Sequence, residues 1–566
     1  MPSTPAPAVT PPAPLTRRGI AALLLVFALV WFCNLDYRRL IHPDEGRYAE
    51  IPREMVASGD WVTPRLNGIK YFEKPALQYW ITAAAYEVFG VREWTARLWS
   101  VLAGFLGVLF IGYVGLRLGG PMLGLYSAAA LGGSLGYVVN AHILTLDSGL
   151  TLWMAVGLGG LFLAQREEAT PAEQRAWMWV AWAALALATL SKGLIGIVLP
   201  GGALVLYSLI ERDRSLWRRL HLASGAIVFL AVAAPWFAVV SLRNPEFFGF
   251  FFIHEHFTRF LTTEHRREGA WWYFIPILVV GILPWLTVMG WTARGMWTDA
   301  RPSQNGFNWQ RFALVWSAFI FIFFSASGSK LPSYILPVFP ALALAIGWQL
   351  TLLPASTLLR LVAPLVVMTG VLTLVVFFGY GAIVRRIADE RQPLAPLLAY
   401  APWIRIAFAV ALAGGIAAWC WLARGMRTRA VLALAFATLV WTQLVVSGYD
   451  ELAESRSSEP ILARAAARSP LSPEVPFYTV KMYDQTLPYY LGRTVTQVAH
   501  PDELAMGIAL EPEKAIATVD EWKKRWNGAA QAYAMMQPDE YEKLRREGVA
   551  MVELGRDPRR VIVSRR

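Results

Sequence analysis

Apolar runs of roughly the length that crosses a bilayer follow one another along this chain as far as residue 448. A span needs roughly 20 such residues. Candidate spans fall at 19–37, 95–116, 121–141, 148–165, 176–191, 193–211, 220–242, 272–293, 311–326, 332–351, 357–380, 404–423 and 428–448, about thirteen by the same length rule. A soluble core cannot take up so many, and with 56% hydrophobic and 16% charged residues the chain reads as a polytopic α-helical membrane protein. The 25 tryptophans suit the water–lipid interface. The net charge of +12 sits between the apolar runs, which points to anionic headgroups rather than nucleic acid. Cys33 and Cys420 both lie inside apolar runs, so neither a disulfide framework nor a cysteine metal site is indicated.

Residues 1–18 read as a disordered cytoplasmic tail, rich in Pro, Ala and Thr and ending in Arg17-Arg18. The first apolar run is followed by Asn34, Asp36, Tyr37 and Arg38 rather than a small-x-small cleavage site, so it is expected to stay as a span. Arg17-Arg18, the Arg212/Arg214/Arg218/Arg219 cluster and the Arg424/Arg427/Arg429 cluster fall on one side if the span count is odd, which makes that side cytoplasmic. Arg385, Arg386 and Arg391 break this rule. The membrane domain is expected over 19–449, with outer loops at 38–94 and 243–271. The stretch 75–89 is apolar but short, and reads as an interfacial helix.

From 450 to 566 the pattern changes. Short apolar runs at 477–480, 494–498, 515–519, 549–554 and 561–563 alternate with polar, helix-like stretches such as 538–547. This is expected to be a small α/β domain on the outer face. No repeat and no Gly-rich phosphate loop is present, so a nucleotide site is unsupported.

Bilayer physics does not ask for the stretch His42-Pro43-Asp44-Glu45-Gly46-Arg47-Tyr48-Ala49-Glu50 in the first outer loop. Pro43 and the two carboxylates suit a helix N-terminus. Asp44 and Arg47 would share one face, and Tyr48, Ile51 and Met55 an apolar stripe, with Pro52 kinking or ending the first turns. The expectation is an amphipathic segment on the membrane with an Asp/Arg face toward a polar cavity. A solvated helix with a local ion pair fits the pattern equally well. Asp147, Lys192 and Lys330 stand at outer span ends, where ionisable residues are costly and tend to be functional. Snorkelling is the bland reading of the two lysines. In the 243–271 loop, His254-Glu255-His256 could chelate a metal if extended, although structural hydrogen bonding is the commoner use of such histidines.

The run from Pro43-Asp44-Glu45 through Arg47-Tyr48, Glu54-Met55, Gly59-Asp60-Trp61, Glu73-Lys74-Pro75 and Tyr79-Trp80 resembles the first outer loop of GT-C membrane glycosyltransferases, which use lipid-phosphate-linked sugars. Ser191-Lys192-Gly193, His256-Phe257-x-Arg259-Phe260 and Lys330-Leu331-Pro332-x-Tyr334 match further blocks of that group. Lys481-Met482-Tyr483-Asp484-Gln485-Thr486-Leu487-Pro488-Tyr489-Tyr490-Leu491-Gly492-Arg493 resembles the tail of bacterial aminoarabinose lipid A transferases. The resemblance implies a GT-C fold of thirteen membrane helices plus a periplasmic α/β domain. It implies transfer of 4-amino-4-deoxy-L-arabinose from undecaprenyl phosphate to lipid A phosphates at the periplasmic face of the inner membrane, with resistance to polymyxin-type peptides as the outcome.

On that reading Asp44 and Asp147 are the catalytic carboxylates. Arg47, Lys74, Lys192, Arg259 and Lys330, with Tyr71 and Tyr334, bind lipid phosphate. Glu73, His254 and His256 are candidate ligands of a divalent zinc or magnesium ion. The partners are the lipid-linked donor, lipid A and membrane lipids, with the protein acting as a monomer. Two rivals stay open: a GT-C enzyme that moves a hexose to a glycolipid or protein, and a lipid-linked-sugar flippase. The flippase would be expected to show paired half-repeats with broken helices, and none is evident.

Overall fold

The computed structural model describes residues 16–258, 269–298, 306–390 and 392–565. Its first helix, Arg17–Phe32, starts at Thr16, whose hydroxyl accepts the Gly19 N–H at 3.1 Å. Arg17 and Arg18 therefore belong to the helix and not to the tail.

Among the described residues, eight helical segments are long and apolar enough to cross a membrane: Glu93–Gly132, Asp147–Ala164, Leu222–Arg243, Trp309–Ala326, Pro332–Leu352, Ala355–Ile387, Leu394–Ala423 and Arg427–Ser455. The pair Phe274–Gly281 and Leu286–Thr298, bent by 103°, makes a ninth. The other apolar runs also fold as helices but miss that test. Arg17–Phe32 has 16 residues and Ile195–Glu211 has 17. Pro171–Lys192 mixes Glu173, Gln174, Arg175 and Lys192 with its apolar centre. The runs 95–116 and 121–141 are joined in Glu93–Gly132, across a kink where Gly119 and Gly120 leave helical geometry before Pro121. The second of them breaks again before the short helix Leu135–Ala141. Helices approach closely where side chains are small: a Cβ on Gly347 would lie 2.7 Å from the Ser127 amide nitrogen. Outward faces carry bare Leu242 and Phe378, 83% and 84% exposed, which only a lipid environment makes inexpensive.

The tail folds on a six-stranded sheet, in the order Ala515–Ile516, Thr496–Val498, Phe477–Val480, Tyr533–Met536, Val561–Ser564 and Val552–Arg556. The first four are mutually parallel, and Val561–Ser564 pairs antiparallel with its neighbours on both sides. The strand Tyr533–Met536 sits near the centre and is wholly buried, yet the sequence does not announce it. Tyr-Ala-Met-Met has no β-branched residue and no alternation.

Between the first two membrane helices, the outer loop is itself structured. It contains the helix Asp44–Ser58, the antiparallel pair Arg65–Leu66 and Ile69–Lys70, and the helix Leu77–Phe89. Two expectations for Asp44–Ser58 are corrected. The helix continues through Pro52 to a left-handed Gly59, whose N–H reaches the Met55 carbonyl. It is also not a membrane-surface helix, because every residue from Glu45 to Pro52 is buried, beneath the tail domain among others.

Candidate active site

Glu45 and Asp44 are adjacent but do different work. Glu45 is fully enclosed and chelated by two guanidiniums, Arg38 at 2.8 and 2.9 Å and Arg97 at 3.0 Å through two nitrogens. It also accepts the Ile41 and Leu144 N–H groups, both at 3.1 Å. Burial alone would raise its pKa, but the two arginines more than offset this and hold it well below the usual carboxylate range. Its lone pairs are consumed, so it serves as the knot that ties the outer loop to Glu93–Gly132 and to the turn before Asp147.

One turn on, Arg47 is buried with its guanidinium shared between two carboxylates. Asp44 Oδ1 lies 2.7 Å away on the same helix, and Glu503 Oε2 lies 2.5 Å away on the tail domain. The Gln485 amide donates to Glu503 Oε1 at 2.5 Å. Burial raises the Glu503 pKa above its ordinary value although Arg47 opposes this. Beside this group stands Tyr71, buried, with its hydroxyl unpaired among the described residues, as is Arg47 Nε. Gly46 explains the close approach of tail and loop. A Cβ there would lie 2.6 Å from the Gln485 carbonyl carbon and from the Thr486 amide nitrogen. The Asp-Glu-Gly-Arg and Tyr-Asp-Gln-Thr blocks are thus two sides of one contact.

A second ion pair lies at the ends of two membrane helices. Asp147 opens Asp147–Ala164, Lys192 closes Pro171–Lys192, and the ammonium donates to Asp147 Oδ1. The Lys192 Nζ also sits 4.7 Å from the centre of the Tyr334 ring. Tyr48 connects the two halves, since its phenol feels Asp44, Arg47, Glu73 and Asp147. Burial first, then Asp44, pushes its ionisation far up, so it remains a neutral hydrogen-bonding group. Lys74 reaches the Glu73 carbonyl at 2.7 Å and the Glu255 carboxylate at 3.5 Å. Lys330 is buried and donates to the carbonyls of Ser325, at 3.0 Å, and Ser327.

The structure therefore brings Asp44, Arg47, Tyr71, Glu73 and Asp147 together around Tyr48, with Lys192 and Tyr334 reached through Asp147. Arg259 and the side chain of His256 lie outside the described residues. His254 Nδ1 stands 3.8 Å from Glu255. Among the described residues no three His, Cys, Asp or Glu side chains converge as an ion site. Where Glu73 and Glu255 approach, the Lys74 ammonium stands 3.9 and 3.5 Å from them. Of the three candidate ligands, only Glu73 and His254 have side chains among the described residues. Sequence reasoning missed Glu503, gave Gln485 no role beyond its place in the tail block, and missed that Glu45 and Arg97 are partners. A partly buried acid on a short 3₁₀ turn, Asp502–Leu504, looks like ordinary solvated surface in a sequence.

The family model described as dolichyl-phosphate-mannose-protein mannosyltransferase matches residues 17–251. The aminoarabinose transferase C-terminal domain model matches residues 462–565. The crystal structure of ArnT from Cupriavidus metallidurans bound to undecaprenyl phosphate superposes with a TM-score of 0.91 at 38% identity, covering 97% of this chain and 99% of that one. The chain belongs to the ArnT family of GT-C glycosyltransferases. The apo form of the same ArnT gives a TM-score of 0.89 over 97% of this chain. Among curated relatives, the undecaprenyl phosphate-alpha-4-amino-4-deoxy-L-arabinose arabinosyl transferase 2 of Pseudomonas fluorescens is 33% identical over 59% of this chain and 56% of its own length. The arabinosyl transferase of Edwardsiella ictaluri is 33% identical over 58% of each. The chain thus aligns with somewhat under three-fifths of these curated relatives. Within the ArnT architecture, Asp44, Arg47, Lys74, Asp147 and Lys192 lie in the part matched by the mannosyltransferase model, whereas Gln485 and Glu503 lie in the part matched by the aminoarabinose model.

Proposed function

We propose that this protein transfers 4-amino-4-deoxy-L-arabinose from undecaprenyl phosphate to lipid A phosphates, acting as a monomer at the periplasmic face of the inner membrane. The carrying observation is the set of cations, Arg47 and Lys330 buried and Lys74 and Lys192 partly buried, each held by carboxylates or carbonyls that an anion can replace. The names of the relatives supply the sugar and the carrier lipid.

The charge accounting supports such a site. A phosphate monoester acceptor is already nucleophilic near neutral pH, so no strong general base is needed. One of its oxygens bonds to the sugar C1 while the bond from C1 to the undecaprenyl phosphate oxygen breaks. The acceptor changes from monoester to diester and the carrier from diester to monoester, so one negative charge moves from acceptor to carrier and no proton need be transferred. The protein's work is to hold two anionic lipids in line and to stabilise the charge on the leaving phosphate. Arg47 offers a planar fork and the lysines point charges. Asp44 and Asp147 hold Arg47 and Lys192 in place, with Asp44, the more exposed of the two, free to touch the sugar. Tyr71 and Tyr48 add neutral hydrogen bonds. Lys192→Ala is expected to lower transfer at least 100-fold, an effect of the size lost with one oriented charge stabiliser. Full turnover by that variant, in purified protein with synthetic donor and lipid A, would remove Lys192 from the mechanism. Loss of turnover on chelation, restored by zinc or magnesium, would support Glu73, His254 and His256 as ligands, whereas unchanged turnover in metal-free protein would rule a metal out of the chemistry.

A further inference from the structure

We propose that Glu503, supplied by the tail domain, binds the ammonium group of the donor sugar and selects amino sugars over neutral ones. This deepens the function proposed above and rests on it. Arg47 faces two carboxylates, Asp44 and Glu503, at 2.7 and 2.5 Å, and Glu73 is a further negative neighbour of Glu503. One guanidinium between two acids leaves a negative excess, which suits a cation in the ligand rather than another phosphate. Glu503 is built to face such a group. Its side chain is 12% exposed, Oε2 takes Arg47, Oε1 takes Gln485, and two of about four acceptor directions remain. Next to it the hydroxyl of Tyr71, itself 2% exposed, and Arg47 Nε have no hydrogen-bond partner among the described residues.

The origin of the two halves gives the selectivity argument. Of the cations assigned to phosphate, Arg47, Lys74 and Lys192 lie in the segment matched by a mannosyltransferase model, whose named sugar is neutral, and Lys330 lies beyond it. Glu503 and its Gln485 clamp lie in the segment matched by the aminoarabinose model. Gly46 lets that segment seat its backbone directly on the Asp44 helix, so the carboxylate is delivered to a fixed place.

The test compares two donors, undecaprenyl-phosphate-linked aminoarabinose and its N-acetylated, uncharged derivative, with lipid A as acceptor and full-length protein in detergent. Wild type is expected to prefer the amine. Glu503→Gln is expected to lower kcat/KM for the amine donor by roughly 10- to 100-fold, the weight of a charge-assisted hydrogen bond, and for the acetylated donor by less than about threefold. Gln485→Ala, which frees the carboxylate without removing it, gives the same selective pattern at smaller size. Equal losses on both donors would overturn the proposal and leave Glu503 as a brace for Arg47. So would a wild type without preference. If wild type transfers from neither donor, the function reading itself fails, and this inference with it.

Discussion

Asp44 and Glu45 are neighbours in sequence and opposites in environment. Glu45 is saturated by Arg38, Arg97 and two backbone amides, whereas Asp44 keeps a side chain 38% exposed and an ion pair with Arg47. Their variants should part accordingly. Glu45→Gln leaves two buried guanidiniums uncompensated and is expected to cost about 3–5 kcal/mol of stability. It should show as lost folded protein in size-exclusion profiles and thermal melts. Asp44→Asn should melt close to wild type and lose transfer; the reverse pattern would exchange the two roles. The sequence made the importance of this stretch legible, because carboxylates and an arginine so close to a membrane span need a reason. It could not say which acid was structural, since that depends on Arg97, which sits in the next membrane helix and carries no local signal.

At the level of elements, the helix Asp44–Ser58 is clamped between membrane helices and the tail domain. Gly46 is the point where this shows most sharply, with the Gln485–Thr486 backbone in the space a methyl group would take. Backbone cannot rearrange as a flexible side chain does, so Gly46→Ala is expected to push the tail segment off Arg47 at a cost of about 1–3 kcal/mol. Proteolysis between the membrane part and the tail should accelerate, and transfer should fall with it. Unchanged protease resistance and activity would show that the contact is looser than described. Helix periodicity gave the amphipathic pattern of this element but assigned its apolar face to lipid. The tail domain that covers it comes from the far end of the chain, and pairing of distant elements is not written in local periodicity. Apolar length did find the eight segments, and the bent pair, that are long and apolar enough to cross a membrane among the described residues, because twenty apolar residues have few other places to go.

For the molecule as a whole, the junction between outer loop and tail is also a site of acid sensitivity. The imidazole of His42 accepts from the Arg559 guanidinium and lies near Arg456, Arg560 and Asp484. Burial, then these arginines against Asp484, lowers its pKa to about 4 from an ordinary value of 6.5. The unfolded chain therefore takes up the proton first, and stability present above pH 6.5 is lost as the pH falls toward 4, on the order of 3 kcal/mol. Asp484, buried against Arg560, is held down to about 2, so its contribution disappears only in stronger acid. The thermal midpoint of wild type should drop between pH 6.5 and 4, and that of His42→Gln should drop less; parallel curves would place the sensitivity elsewhere. The most direct test of the account as a whole is mass spectrometry of lipid A from cells lacking their own transferase activity, with and without this protein. The expected result is a mass increment of one aminoarabinose unit that appears with the wild-type chain and vanishes with Lys192→Ala at equal expression. Unmodified lipid A with the wild-type protein present and folded, in cells that supply the donor, would contradict it.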